Sequence, residues 1–358
     1  MVKIIFMLAF FLAFCFYSNS FSQSSEEGSI SGYVIDKNTQ KPMEFVNVFI
    51  ANTMKGSSTG KDGFFEIKGI ALGLQEVVAS FIGYEPYRQQ VKITSTPTKL
   101  NIQMQAKVME LKEVQVTGEV DKVWKKQMKK FRSFFLGNTP NKEDCIIVNE
   151  GVLDFQEDEN TKKFIAKASD LLVIENRALG YKITYLLEKF EVDRDDNSTY
   201  FGKPKYDFLE PKNEKEKKRW ELARLDAYRG SLRHFLHALT VDSLALQGFE
   251  IYSNVVLGKD DKKVSNPKEL FLFGETSSQR LLKFKNYLKI VYNGRTEKFV
   301  RNQAIPQTCW IHQTLSAPAM FYKNGYLSNP LTLFLNGYWA RLGVADELPF
   351  EYVPPKID

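Results

Sequence analysis

The sequence predicts an α+β protein, with a small antiparallel β-sandwich first and a longer, mixed and mainly antiparallel α+β region after it. Three observations predict this. Apolar and polar residues alternate in short runs at 30–35, 45–50, 64–67, 77–82, 91–94 and 100–104. Turn chemistry separates them: Asp36-Lys37-Asn38, Gly60-Lys61-Asp62-Gly63 and Gly83-Tyr84-Glu85-Pro86. Short alternating strands with turns at this spacing specify an antiparallel sandwich rather than βαβ units. Beyond residue 145, strand-like runs recur around one long helical stretch, which is the pattern of an α+β domain.

The start of the chain has the pattern of an export signal. Lys3 supplies the positive flank, and residues 4–16 form an apolar core too short to span a bilayer. Ser20-Phe21-Ser22-Gln23 offers small residues for cleavage, so residues 1–23 are expected to be removed near Gln23 or Ser24. Cys15 follows Phe14 rather than a small residue, which argues against lipidation. No other apolar run is long enough for a transmembrane helix, and the alternating segments of a large membrane barrel are not there. The expected product is exported, in the periplasm or associated peripherally with the outer membrane.

Formal charge is +6, and +5 without Lys3. Basic residues are interspersed with acids at 213–224, as on a solvated helix face. With no basic stripe carrying interleaved aromatics, nucleic acid is not an expected partner. Cys145 and Cys309 remain after export, each within an apolar stretch. An oxidising compartment permits a bridge between them, and two buried free thiols fit the same surroundings.

The organisation follows as a signal at 1–23, a sandwich at 29–106, a linker and basic amphipathic helix at 107–140, and an α+β domain at 141–358. The helix is expected over 119–136, because Trp124, Met128, Phe131 and Phe135 fall on one face. Lys122, Lys125, Lys126, Lys129, Lys130 and Arg132 cover much of the remainder. These six are the candidate binding residues, for an anionic membrane surface or a partner. The alternative is a surface helix whose aromatic stripe packs on the second domain, and the direct run into strand-like sequence favours it. Strands are expected at 146–155, 164–168, 171–174, 181–192, 198–208, 249–257, 270–273, 281–291 and 308–315. A helical stretch is expected over 214–246, broken at Gly230-Ser231.

Motifs for chemistry are weak. Gly56-Ser57-Ser58-Thr59-Gly60-Lys61 fails phosphate-loop spacing and has Asp62 where Ser or Thr must hold magnesium. His234 and His237 lie at i and i+3, but no Glu follows at zincin spacing and His312 is distant in sequence. Asp193-Arg194-Asp195-Asp196-Asn197 starts like a calcium loop and then lacks both its glycine and its twelfth-position glutamate. The Gly-x-Ser-x-Gly spacing is met at Gly56-Ser57-Ser58-Thr59-Gly60, but a strand follows it rather than the helix of a nucleophile elbow. No catalytic residue, cofactor or metal is therefore expected. Glu175, Glu188 and Glu191 are the only carboxylates singled out for a hydrolase alternative.

Ile30-Ser31-Gly32-Tyr33-Val34-Ile35-Asp36, Lys41-Pro42, Val46-Asn47-Val48, Asp62-Gly63-Phe64-Phe65 and Ser80-Phe81-Ile82-Gly83-Tyr84 resemble the carboxypeptidase-regulatory-like domain, a transthyretin-like sandwich. The resemblance covers about a quarter of the chain. It implies a cell-envelope protein of a Gram-negative bacterium. Residues 111–118 look like the segment joining this domain to TonB-dependent porins of starch-utilisation type, but no plug or barrel follows. Zinc carboxypeptidase activity is not expected, since no His has Glu at the required spacing. Ala178-Leu179-Gly180-Tyr181, Tyr228-Arg229-Gly230-Ser231 and Gly337-Tyr338-Trp339 look like the uncharacterised domain that often follows such a sandwich. The expected function is non-enzymatic binding or assembly, with the sandwich docking a protein or glycan partner. The 28 Phe and 16 Tyr supply aromatics for such a face as well as for the core.

Overall fold

The computed structural model describes residues 27–107, 118–254, 256–257, 260–300, 303–314 and 318–355. The expected signal at 1–23 and residues 111–117 of the porin-like segment lie outside them. Eight strands build the sandwich: β1 (Glu27–Asp36), β2 (Asn47–Ile50), β3 (Gly56–Ser58), β4 (Phe64–Ala71), β5 (Gly73–Ser80), β6 (Tyr87–Ile93), β7 (Thr98–Lys99) and β8 (Ile102–Met104). One sheet runs β4-β1-β7, with β8 also on β1, and the other runs β3-β2-β5-β6. All pairings are antiparallel except those of β7 and β8, which run parallel to β1. Alternation puts Ile30, Val34, Val48, Ile50, Phe65, Ile67, Val77 and Ala79 into the shared core. The phosphate-loop look-alike is strand β3 and the turn after it. Gly63, at φ +76°, closes that turn into β4.

Helix α1 (Gly118–Phe135) comes next and presses its aromatic stripe inward. Met128, Phe131 and Phe135 are buried against a six-stranded antiparallel sheet. That sheet comprises β9 (Cys145–Ile147), β10 (Leu153–Glu157), β11 (Phe164–Ala168), β12 (Leu172–Asn176), β13 (Tyr181–Val192) and β14 (Ser198–Phe208). The Phe131 ring lies 4.7 Å from both Phe135 and Phe190, and Phe135 lies 5.1 Å from Tyr185. The helix therefore packs on the second domain by its apolar face.

The expected helical stretch at 214–246 is two helices, α2 (Glu214–Tyr228) and α3 (Leu232–Thr240). Asn213 caps the first through Glu216 N–H, and Ser231 caps the second through His234 N–H. The stretch ends about six residues early: Asp242 takes φ +56°, and Leu246 is 90% exposed. The remaining strands are β15 (Phe249–Asn254), β16 (Lys262–Lys263), β17 (Phe271–Phe273), β18 (Gln279–Leu282), β19 (Tyr287–Val300), β20 (Gln303–Gln313), β21 (Met320–Tyr322) and β22 (Leu333–Gly337). They form a sheet ordered β16-β15-β19-β20-β22 and another ordered β17-β18-β21. The run at 281–291, expected as one strand, belongs to both sheets, because Asn286 at φ +57° turns the chain between β18 and β19. Residues 141–355 thus hold two hydrophobic cores, one beneath α1 and one between α3 and β15-β19-β20. Cys145 sits in the first and Cys309 in the second, both buried and unbridged.

The sandwich is docked rather than tethered. Phe49, Ala51 and Val78 face out of it and are buried against Leu171 and Leu186. Asn52 N–H donates to Pro204 O at 2.6 Å, and Tyr206 N–H donates to Thr53 O at 3.0 Å. These bonds extend the edge of β14 with sandwich backbone. The C-terminal segment straps the parts together. Ala345 N–H reaches Leu136 O, Phe350 N–H reaches Asn52 O, and Met54 N–H donates to the Glu351 carboxylate. Arg233 on α3 holds this strap from inside. Its guanidinium donates to Pro349 O at 2.7 Å and to Phe350 O and Tyr352 O at 2.8 Å.

Candidate functional site

The six basic residues of α1 do not form one set. Lys122, Lys125, Lys126 and Lys129 fall at i, i+3, i+4 and i+7 and are exposed, opposite the buried aromatic stripe. Lys130 is half-buried, with its ammonium 5.2 Å from the centre of the Phe164 ring. Arg132 turns inward: it donates to Cys145 O at 2.9 Å and to Glu150 at 3.3 Å. The exposed ridge is thus four lysines, and the other two basic groups serve packing.

The carboxylates of the hydrolase alternative are dispersed among ion pairs. Glu188 meets Arg88 and Lys203, Glu191 meets Lys163 and Lys189, and Glu175 meets Arg177. Two acids the sequence reading passed over, Asp346 and Glu347, do have raised pKa values. Burial is the main cause for both, and it brings Glu347 to about 7. Asp346 accepts from Thr139 and Asn141. Glu347 accepts from the Tyr206 hydroxyl at 3.2 Å. Among the described residues, no group of three His, Cys, Asp or Glu side chains is placed to hold a metal ion.

The structure does assemble a cleft where α2 gives way to α3. Gly230 makes the break: its φ is +70°, and a Cβ there would lie 2.5 Å from the Tyr292 ring. Its carbonyl accepts from Gln307 Nε2 at 2.6 Å and Trp339 Nε1 at 2.7 Å. Two of the sequence motifs, at 228–231 and 337–339, therefore meet at this turn. The turn and strap residues 352–355 enclose a cleft of about 290 Å³. Tyr228, Arg229, His237 and Tyr352 are among its walls. The Tyr228 and Tyr352 rings lie 5.8 Å apart.

The protonation pattern follows from the bonds. His234 Nδ1 accepts from Gly230 N–H, so Nε2 carries the proton and donates to Gln247 Oε1 at 3.2 Å. Burial pushes this ring down to about 4 and keeps it neutral. His237 Nδ1 donates to Lys323 O at 2.7 Å, which leaves Nε2 as an acceptor. Among the described residues, no carboxylate lines the cleft and the Arg229 guanidinium has no hydrogen-bond or ion-pair partner. The acid three residues before it, Asp226, is bound to Arg295 at 2.7 Å.

Residues 30–116 match the model of the CarboxypepD_reg-like domain. The N-terminal sandwich is a carboxypeptidase-regulatory-like domain. The family is a regulatory rather than a catalytic one. No curated protein matches the chain. Among solved structures, a type II cohesin–X-dockerin complex of Acetivibrio cellulolyticus is 23% identical over 32% of this chain and 79% of that one, with a TM-score of 0.22. The pilus 2b backbone protein of group B streptococcus is 16% identical over 23% and 42%, with a TM-score of 0.20, so this chain spans less than half of it. A point variant of BcpA, the major pilin subunit of Bacillus cereus, is 8% identical over 83% and 95%, with a TM-score of 0.19. None of these likenesses bears on function. In this chain, the regulatory-like domain spends the outer face carrying Phe49 and Val78 on contacts with its own C-terminal region.

Proposed function

We propose that this chain is a non-enzymatic binding or assembly protein of the cell envelope, attached electrostatically to an anionic partner at the outer membrane through α1. The observation that carries the reading is the lysine ridge. Lys122, Lys125, Lys126 and Lys129 project from one face of an 18-residue helix whose opposite face is fixed in a core. A rigidly held row of charges keeps its geometry on contact, so attachment costs little ordering entropy. Near an anionic surface each lysine contributes about 1 kcal/mol, and four together give a usable, salt-sensitive attachment. The regulatory-like domain then acts as a docked module of a larger body.

The test is charge reversal at all four lysines in the exported protein, followed by fractionation of envelopes over a range of salt concentrations. The wild type should leave the envelope as salt rises, because screening shortens the reach of the charges. The variant should be released already at low salt, with an unchanged melting curve. A folded variant that still sediments with envelopes at every salt concentration would reduce α1 to a connector.

A further inference from the structure

We propose that the cleft between the α2–α3 turn and the C-terminal strap binds a sugar acid, a carboxylate carried on a single pyranose-sized ring. The site is separate from the lysine ridge and goes beyond the attachment reading.

Three features argue for this ligand. The first is charge. Arg229 is a half-buried residue whose guanidinium has no partner among the described residues, and it lines a cleft without a lining carboxylate. A guanidinium fork is matched in shape by a carboxylate, which it can bind through two parallel hydrogen bonds. The second is size. About 290 Å³ lies at the small end of ligand sites, enough for one ring and far more than a bare inorganic anion fills. The third is the character of the walls. Tyr352, backed by the buried Tyr228 ring, offers aromatic surface to the C–H face of a ring, and His237 Nε2 offers an acceptor to a hydroxyl.

The walls are also held in place. The Tyr228–Arg229 backbone is fixed by the pinned Gly230 turn, and Tyr352 is held by its carbonyl on Arg233. The cleft is therefore formed before a ligand arrives. The neighbouring cavity of about 110 Å³, which Arg229 also lines, has its other charges matched internally. There Arg295 binds Asp226 and Tyr338, and Asp346 binds Thr139 and Asn141. Arg229 is the unmatched charge on both cavities, and of the two the larger is the one with room for a ring.

The experiment is a ligand-observed NMR titration of the full chain with D-glucuronate, D-glucose and inorganic phosphate. Glucuronate should bind at millimolar concentration or below, at least about tenfold more tightly than glucose or phosphate. Arg229→Gln should remove that advantage. Since Arg229 donates no side-chain bond among the described residues, the variant should melt like the wild type. The variant with all four ridge lysines reversed should bind glucuronate as the wild type does, which keeps this site distinct from the attachment surface. Glucose binding as tightly as glucuronate, or Arg229→Gln retaining wild-type affinity, would overturn the carboxylate assignment. Phosphate binding as tightly as glucuronate would overturn the ring. Absence of glucuronate binding at millimolar concentrations would overturn the site.

Discussion

Arg233→Met should loosen the whole molecule, because one side chain holds the strap that joins its parts. In the wild type the guanidinium donates to Pro349 O, Phe350 O and Tyr352 O at 2.7–2.8 Å, and to Asn324 O at 3.3 Å. It also lies 5.7 Å from the centre of the Tyr326 ring and 6.0 Å from that of Tyr352. Hydrogen bonds to a charged group are worth about 1.5–3 kcal/mol each, so three short ones set a gross loss of about 5–9 kcal/mol. Removing the charge also removes its desolvation penalty, and the net cost of breaking such a buried arrangement is about 3–5 kcal/mol. That is a large part of the 5–15 kcal/mol typical of a folded domain. The carbonyls left behind belong to the strap, so Phe350 N–H to Asn52 O and Met54 N–H to Glu351 should weaken with it. Urea unfolding followed by tryptophan fluorescence measures the first effect. Amide hydrogen exchange at residues 52–54 and 350 measures the second. Arg233→Lys should recover less than half of the loss, since one ammonium cannot serve four carbonyls in a plane. If Arg233→Met stays within about 1 kcal/mol of the wild type and those amides remain protected, the strap is not held as described.

Phe49→Ala should cost about 3–4 kcal/mol in the full chain, where the ring is buried between sandwich and β13. In an isolated fragment of residues 27–107 it should cost less than about 1 kcal/mol, because the same ring then faces solvent; equal losses in both melts would contradict the docked arrangement. Cys145 and Cys309 should resist thiol reagents at pH 8 until the protein unfolds, since burial raises both to about 12 and the thiolate is the reacting form. Rapid labelling of the native protein would show that one of them is accessible. Glu347→Gln tests the buried acid by its pH dependence. Its folded pKa of about 7 lies above the unfolded 4.5, so the folded state binds the extra proton, and wild-type stability should fall as pH rises from 4.5 to 7 and then level off. The variant should melt like the wild type near pH 4 and at higher temperature at pH 8.5; a pH-independent difference would assign Glu347 a different role.

The sandwich was legible because a period of two needs only neighbouring residues to reveal it. The pattern puts Val34, Val48, Phe65 and Val78 in the sandwich core; the first three are buried there, and Val78 instead faces out of it. The apolar stripe of α1 was legible for the same reason, with a period near 3.6. The place of Phe49 was not, and that of Val78 is a correction to the alternation, because the burial of both is decided by Leu171 and Leu186, more than ninety residues away. Nor were the differing fates of Lys129, Lys130 and Arg132. They sit side by side in sequence, and only the position of Phe164, Cys145 and Glu150 separates ridge from packing. The run at 281–291 concealed a change of sheet, because a single residue with positive φ leaves almost no trace in hydropathy.

By itself, then, the sequence determined the local periods, the turn glycines, the membership of residues 30–116 in a regulatory-like family and the basic face of α1. Those properties are written in short windows, where side-chain spacing and backbone sterics act. Tertiary structure alone decided that the sandwich is docked, that the two cysteines lie in separate cores, that Arg233 binds the strap and that Arg229 faces a cleft without a counter-charge. Each of these depends on which distant groups share a low-dielectric interior. There an unmatched charge or carbonyl is costly, and a short window of sequence does not contain its partner.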